Sequence, residues 1–430
     1  MRTGHAEDDR GPVRRRAFGV PVLLTLLSLL PLTACSQDPP GPIARTDAEV
    51  EADLSATLRQ RARAITDQDR RGFTRTLGRG AIRDEQSTYF DNLGQLPVEV
   101  LRYRVVPGSV RPDPKDDRSW WAVVATRLQL DGYDAAPITT RDRWRFTLGE
   151  HGRRYLLSST TDAGWEREHA AGVQPWDTGP IVVEERLDAL GIFDADTARA
   201  ADDVLESVAD GRFEVGILLP DGRNADESAR DLGTVVYVLS DAASVEGLAS
   251  QTVGDPERAD GLTIAIPTDA GDAGSPVAGY RIALSPRVLG QEDVVRDRLV
   301  RHELTHALLG AEGRGAPLWI TEGVAEYVSV HPQEPAQRRL PASALAVGAD
   351  ADALPTAAEF SGPDAAGWYA VAWWVCEYVA STGGESTLWA LLDQLAAGAD
   401  QETALEERLG LTESQLVQRG VALMASSYRR

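Results

Sequence analysis

The chain has 430 residues, with 44 Lys and Arg against 66 Asp and Glu for a formal net charge of −22, and is 43% hydrophobic. That length and apolar content suffice for more than one buried core, while the acidic excess argues against nucleic acid or an anionic membrane surface as partner, since both would repel it. Only two cysteines occur, Cys35 and Cys376, so no disulfide framework holds the fold together.

In chain order, Arg14-Arg15-Arg16 precede an apolar run over 17–30 that ends in Leu32-Thr33-Ala34-Cys35. A positive start, a short apolar stretch and small residues before a cysteine read as a bacterial lipoprotein signal peptide spanning 1–34. The run is too short for a permanent spanning helix. Arg15-Arg16-Ala17-Phe18 also resembles a twin-arginine export signal. The expectation is a protein lipidated on Cys35 and held at the extracytoplasmic face of the cell membrane. Removing 1–34 takes away five Arg and three acids, so the charge moves from −22 to −24. Cys376, in an apolar run, is then expected to be a buried thiol.

Residues 35–45, rich in Pro and Gly, read as a tether. Thr46 opens a capping box with Glu49, and Val50, Leu54, Leu58, Ala62 and Ile65 recur at helical spacing behind it. Apolar or alternating segments at 98–106, 120–130, 139–148 and 155–159 then predict strands, with turns at Pro112-Asp113-Pro114 and Asp131-Gly132. A helix followed by long meandering strands over 46–170 resembles the nuclear-transport-factor-2-like cone. In such a cone Trp120, Trp121, Trp144 and Trp165 would line a pocket or fill the core. His151 and His169 read as surface residues.

Residues 171–189, with Pro175-Trp176-Asp177, read as a linker to a second domain over 190–430. Within it the pattern predicts a helix over 194–210, short strands at 215–219, 235–239, 262–266 and 280–284, and a helix from about 291 to a stop at Gly310. Arg281-Ile282-Ala283-Leu284 is a candidate sheet edge for an extended peptide. Residues 368–380 are apolar on nearly all sides and predict a buried helix, followed by helices at 387–397, 402–409 and 413–425. The fold class expected is α+β, with a small mixed sheet, a site-bearing helix and an α-helical lobe in the second part.

The chemistry concentrates in His302-Glu303-Leu304-Thr305-His306 and, after fifteen intervening residues, Glu322 within Trp319-Ile320-Thr321-Glu322-Gly323-Val324-Ala325-Glu326-Tyr327. Residues four apart share a helix face, so both imidazoles can converge on one zinc ion. Glu303, on an adjacent face, can take a proton from a water at the metal. Glu322 is the candidate third ligand, on the first turns of a helix that Pro317 introduces. Glu326, one turn further, can hold a ring N–H of either histidine. Glu312 competes for the third position at metzincin-like spacing, but Leu309 stands where that pattern needs Gly.

The two motifs together resemble those of gluzincin metallopeptidases, and more closely the small peptidase-MA-like gluzincins of bacteria. The resemblance covers 190–425, and the G-x-M-E-N signature of the clan's aminopeptidases is missing. It implies one zinc ion on His302, His306 and Glu322, Glu303 as general base, a peptide or protein substrate and an endopeptidase. Tyr369 is the expected oxyanion donor, with Tyr327 and His331 as rivals. The alternative is an inactive surface lipoprotein of the same fold that binds a protein or ligand.

Overall fold

The computed structural model describes residues 45–428, leaving out 151, 153, 170–172, 221–231, 242–259, 273 and 334–337 and the side chains of 311, 312 and 314. The signal segment, Cys35, His151 and the side chain of Glu312 therefore lie outside the described residues. The architecture is α+β.

The capping box forms as expected, Thr46 and Glu49 bonding each other's backbone at the start of α1 (Asp47–Thr66). Its Val50, Leu54, Leu58 and Ile65 are buried. Two helices not anticipated follow, α2 (Arg70–Thr74) and α3 (Ile82–Leu93). Then comes the antiparallel sheet of β1 (Val98–Val105), β2 (Arg111–Asp113), β3 (Asp116–Leu130), β4 (Ile138–Leu148) and β5 (Tyr155–Ser159), ordered β1-β3-β4-β5 with β2 paired to β3. Pro112 and Asp113, expected in a turn, sit in β2 against Trp120 and Asp116.

The stretch read as a linker is structured. After α4 (Ala163–His169), residues 175–178 form α5 (Pro175–Thr178), whose Trp176 is buried in the core beneath α3. Asn92 donates to the carbonyls of Trp176 (3.0 Å) and Gly179 (2.7 Å). Next, β6 (Val182–Arg186) and β7 (Ala189–Phe193) form a hairpin that opens the second sheet. Both strands escaped the sequence reading: Glu184, Glu185 and Arg186 mask the alternation in the edge strand β6, and β7 is a five-residue apolar run with no period of its own.

The expected strand at 215–219 is the end of α6 (Ala201–Leu218); a five-residue apolar run does not by itself tell buried strand from buried helix. The second sheet is completed by β8 (Thr234–Val238), β9 (Gly261–Pro267) and β10 (Val277–Leu284), in the order β6-β7-β8-β10-β9. β10 is thus internal, parallel to β8 and antiparallel to β9. The sheet edge expected at 281–284 is therefore wrong: Arg281 is buried and ion-paired to Asp134, and the edge is β9.

Side-chain alternation gives the second sheet two different neighbours. Leu190, Ile192, Val235 and Tyr237 join the core of the N-terminal antiparallel sheet and its helices. Phe193, Val236, Val238, Ile282 and Leu284 face the helices. A sheet covered on both faces reads as continuous apolar runs, as β7 and β8 do. Residues from Thr46 onward form one compact unit.

The helical layer comprises α7 (Asp293–Arg314), α8 (Leu318–Val330), α9 (Ala344–Asp350), α10 (Ala357–Phe360), α11 (Ala365–Gly383), α12 (Glu385–Ala396), α13 (Gln401–Leu409) and α14 (Glu413–Tyr428). Gly310 does not end α7 but kinks it, at φ +55°, in the left-handed region that favours glycine. α11 is buried as expected, with Val371, Trp373, Val375 and Val379 fully enclosed. Cys376 is a buried free thiol whose pKa burial pushes up. No helix among the described residues is long and apolar enough to cross a membrane.

Candidate metal centre

α7 runs with Val300 and Leu304 in the core and one stripe, Arg298-His302-His306, turned to α8. α8 is almost wholly apolar apart from Glu322 and Glu326, one turn apart. These two acids face the histidine stripe across the helix pair.

The donors converge. Nε2 of His302 and Nε2 of His306 are 3.1 Å apart, and Oε2 of Glu322 lies 3.2 Å from the first and 3.4 Å from the second. Four ligands at zinc–nitrogen and zinc–oxygen bond lengths define a tetrahedron with edges of about 3.3 Å. The three sides of this triangle have that size. Among the described residues, this is the His/Cys/Asp/Glu grouping that offers three such atoms together.

The buried acids and imidazoles offset one another's burial. Burial works to raise Glu322, but His306 and His302 beside it outweigh burial and hold the carboxyl well below its usual range. Burial likewise works to lower His302, and Glu322, Glu326 and Glu303 together push it well above the ordinary imidazole value. Glu326 places Oε1 3.3 Å from Nδ1 of His302, a long contact outside good hydrogen-bond geometry, and its other oxygen takes the Arg298 guanidinium. Burial opposes its ionisation, yet Arg298 and His302 bring Glu326 down to about 2.

Glu303 is 4% exposed and turns toward β9, where its carboxylate accepts from Thr263 Oγ1 at 2.8 Å. Thr263 Oγ1 is also 2.8 Å from the Glu303 carbonyl. A Cβ at Gly261 would come 2.8 Å from Glu303 Oε1, so glycine keeps room for this carboxylate at the sheet edge. Tyr369 stacks edge-on to His302 with ring centres 6.2 Å apart, its other side on Phe360 at 4.8 Å. Burial, then Glu322, Glu303 and Glu326, drive its hydroxyl pKa upward and keep it protonated. The rival Tyr327 donates its hydroxyl to Glu385 at 3.0 Å, with the His331 ring beside it.

The rest of the second motif is architecture. Trp319 Nε1 anchors α8 to Gln401 at 2.8 Å. A Cβ at Gly323 would meet the Ala372 carbonyl oxygen and Cys376 Sγ at 2.7 Å, so glycine there sets the close approach of α8 to α11. Three participants were not singled out from the sequence: Arg298, Thr263 and Gly261. Arg298 had a signal, being one helical turn before His302. Thr263 and Gly261 had none, since forty residues of chain separate Thr263 from Glu303.

Comparison of the chain with protein-family models, with curated proteins and with solved structures returned no match.

Proposed function

We propose that the protein is a zinc-dependent peptidase of gluzincin type that cleaves peptide or protein chains outside the cytoplasm, tethered to the membrane by a lipid on Cys35. The observation that carries this reading is the triangle of His302, His306 and Glu322 donors with Glu303 buried at its side. A structural site would have no use for that fourth, unliganding carboxylate.

His302, His306 and Glu322 would hold a zinc ion, which when bound would supply polarisation of a scissile carbonyl and a more acidic water. Glu303 takes the proton from the attacking water and passes it to the leaving amine. Thr263 holds the carboxylate in position for both transfers. The protonated Tyr369 hydroxyl is the donor for the oxyanion. Glu326, itself held by Arg298, sets its negative charge 3.3 Å from Nδ1 of His302, from where a small ring rotation would let it accept that N–H. An extended substrate adds along the outer edge of β9, which brings it alongside Glu303.

The test is metal analysis and a peptide-library digest on wild type and Glu303→Gln. The variant should keep one equivalent of zinc and lose at least about 10²-fold in turnover. Retained hydrolysis would remove Glu303 as the base, and absence of bound zinc in wild type would sink the whole reading. Mass spectrometry of the N-terminal peptide, with Cys35 carrying acyl chains, tests the anchor.

A further inference from the structure

Side chains of β1, β3 and β4 alternate between the core and the opposite face of the sheet, and the outward set is cationic. The register puts Arg102 directly opposite Arg127 and Arg104 opposite Ala125, while Ala125, Val123 and Trp121 stand opposite Arg141, Arg143 and Arg145. Side chains directly opposite in adjacent strands share a face, so these arginines form one array on the side of the sheet away from α1 and the core. No acid stands at an outward position over 102–104, 121–127 or 139–147.

The array divides in two. Arg141 is paired with Asp269, Arg143 with Asp162, and Arg145 with Asp113 and Asp116. Arg102, Arg104 and Arg127 are exposed, and their side chains meet no acid or hydrogen-bond acceptor among the described residues. Like charges set opposite each other destabilise a sheet, and nothing in the described fold offsets that here. An external anion would.

Net charge and local charge point in opposite directions, and distance decides between them. The whole chain carries −22 and is repelled by an anionic surface. Screening at physiological salt acts over about 8 Å, less than the roughly 10 Å thickness of a single helix such as α1, so acids on the far side add little to a contact made by this face. The form of the array then selects the partner. Arginines about 5 Å apart between strands and about 7 Å apart along one make a plane of guanidinium forks, which suits phosphates that are themselves presented as a plane. Trp121 is the one aromatic side chain at these outward positions, and its ring already carries Arg143 at 5.3 Å, so the face offers no platform for stacking bases.

We propose that this face docks on an anionic phospholipid surface through Arg102, Arg104 and Arg127. The contact turns the outer side of the N-terminal sheet to the membrane and does not rest on the peptidase reading.

The protein tested begins at Thr46, the start of the compact unit, so that neither the apolar run nor Cys35 contributes. It is sedimented with vesicles of phosphatidylcholine alone and of phosphatidylcholine with phosphatidylglycerol in equal parts. The anionic vesicles should carry it down, the neutral ones should not, and added salt should release it. Each of Arg102→Gln, Arg104→Gln and Arg127→Gln should weaken binding about fivefold and the three together about 100-fold, in variants whose urea midpoint shows them folded. Arg59→Gln, Arg63→Gln and Arg71→Gln together, at exposed positions on α1 and α2, change the net charge equally and should alter binding by less than about twofold. The proposal is overturned if the protein stays in solution with anionic vesicles, if neutral vesicles take it equally, if the folded triple variant of the sheet binds as wild type does, if the helix triple variant loses as much, or if a single-stranded oligonucleotide displaces the vesicles at equal phosphate concentration.

Discussion

Gly323 ties the sequence motif to the site geometry, and Gly323→Ala tests that link. The added methyl would sit 2.7 Å from the Ala372 carbonyl oxygen, 0.7 Å short of the 3.4 Å at which ordinary contact begins. That oxygen belongs to the backbone of α11 and cannot rotate aside, so α8 must move away. Overpacking of this kind costs ~1–3 kcal/mol, and alanine's better helix propensity returns ~1 kcal/mol, leaving a net loss of up to about 2 kcal/mol. The larger consequence is for Glu322, the preceding residue. Metal–ligand distances tolerate only about 0.2 Å, so a shift several times larger should weaken zinc binding by about tenfold or more. Urea unfolding gives the first quantity and competition with a chromophoric chelator the second. Gly216→Ala is the control: this α6 position has open space around it and should gain ~1 kcal/mol with no change in zinc affinity. If Gly323→Ala unfolds at the wild-type urea midpoint and holds zinc as tightly, the close helix approach does not set the position of Glu322.

Three further outcomes are expected. Thr263→Val removes the hydroxyl that holds Glu303 and should lower kcat about tenfold with KM and zinc content unchanged, as peptide-cleavage kinetics would show; an unchanged kcat would mean Glu303 needs no such support. Glu326→Gln should weaken zinc binding by about 10–100-fold while leaving the fold intact, measured by chelator competition, and a wild-type affinity would deny Glu326 its orienting role. Asp177 is an acid whose folded pKa is raised from 3.8 to about 7, so folding loses stability as pH rises between those values. Asp177→Asn should accordingly stabilise the protein at pH 8, by a few kcal/mol at roughly 1.4 kcal/mol per unit, and have little effect near pH 4; equal effects at both pH values in urea unfolding would show that its charge costs nothing.

Local patterns carried most of what the sequence made legible. The Thr46–Glu49 capping box, the buried stripe of α1, the strands β1, β3, β4 and β5 and the enclosed helix α11 each depend on periodicity within one segment, and each is present. His302 and His306 share a helix face by spacing alone, and the helix that begins after Pro317 brings Glu322 to the same stripe. Other features depended on what lies across space. Whether 215–219 is strand or helix was decided by α6 packing its apolar face on α7, and whether 281–284 is an edge was decided by β9 adding outside it. The supposed linker became part of the fold because Trp176 had a core to enter and β6 a strand to pair with. Thr263 meets Glu303, and Asn92 of α3 holds the carbonyls of Trp176 and Gly179, through contacts between residues far apart in the chain. Spacing along one helix fixes relative direction through covalent geometry. Such long-range pairs instead follow from the choice of sheet order and layer packing, which is a property of the whole chain's burial and has no local signature.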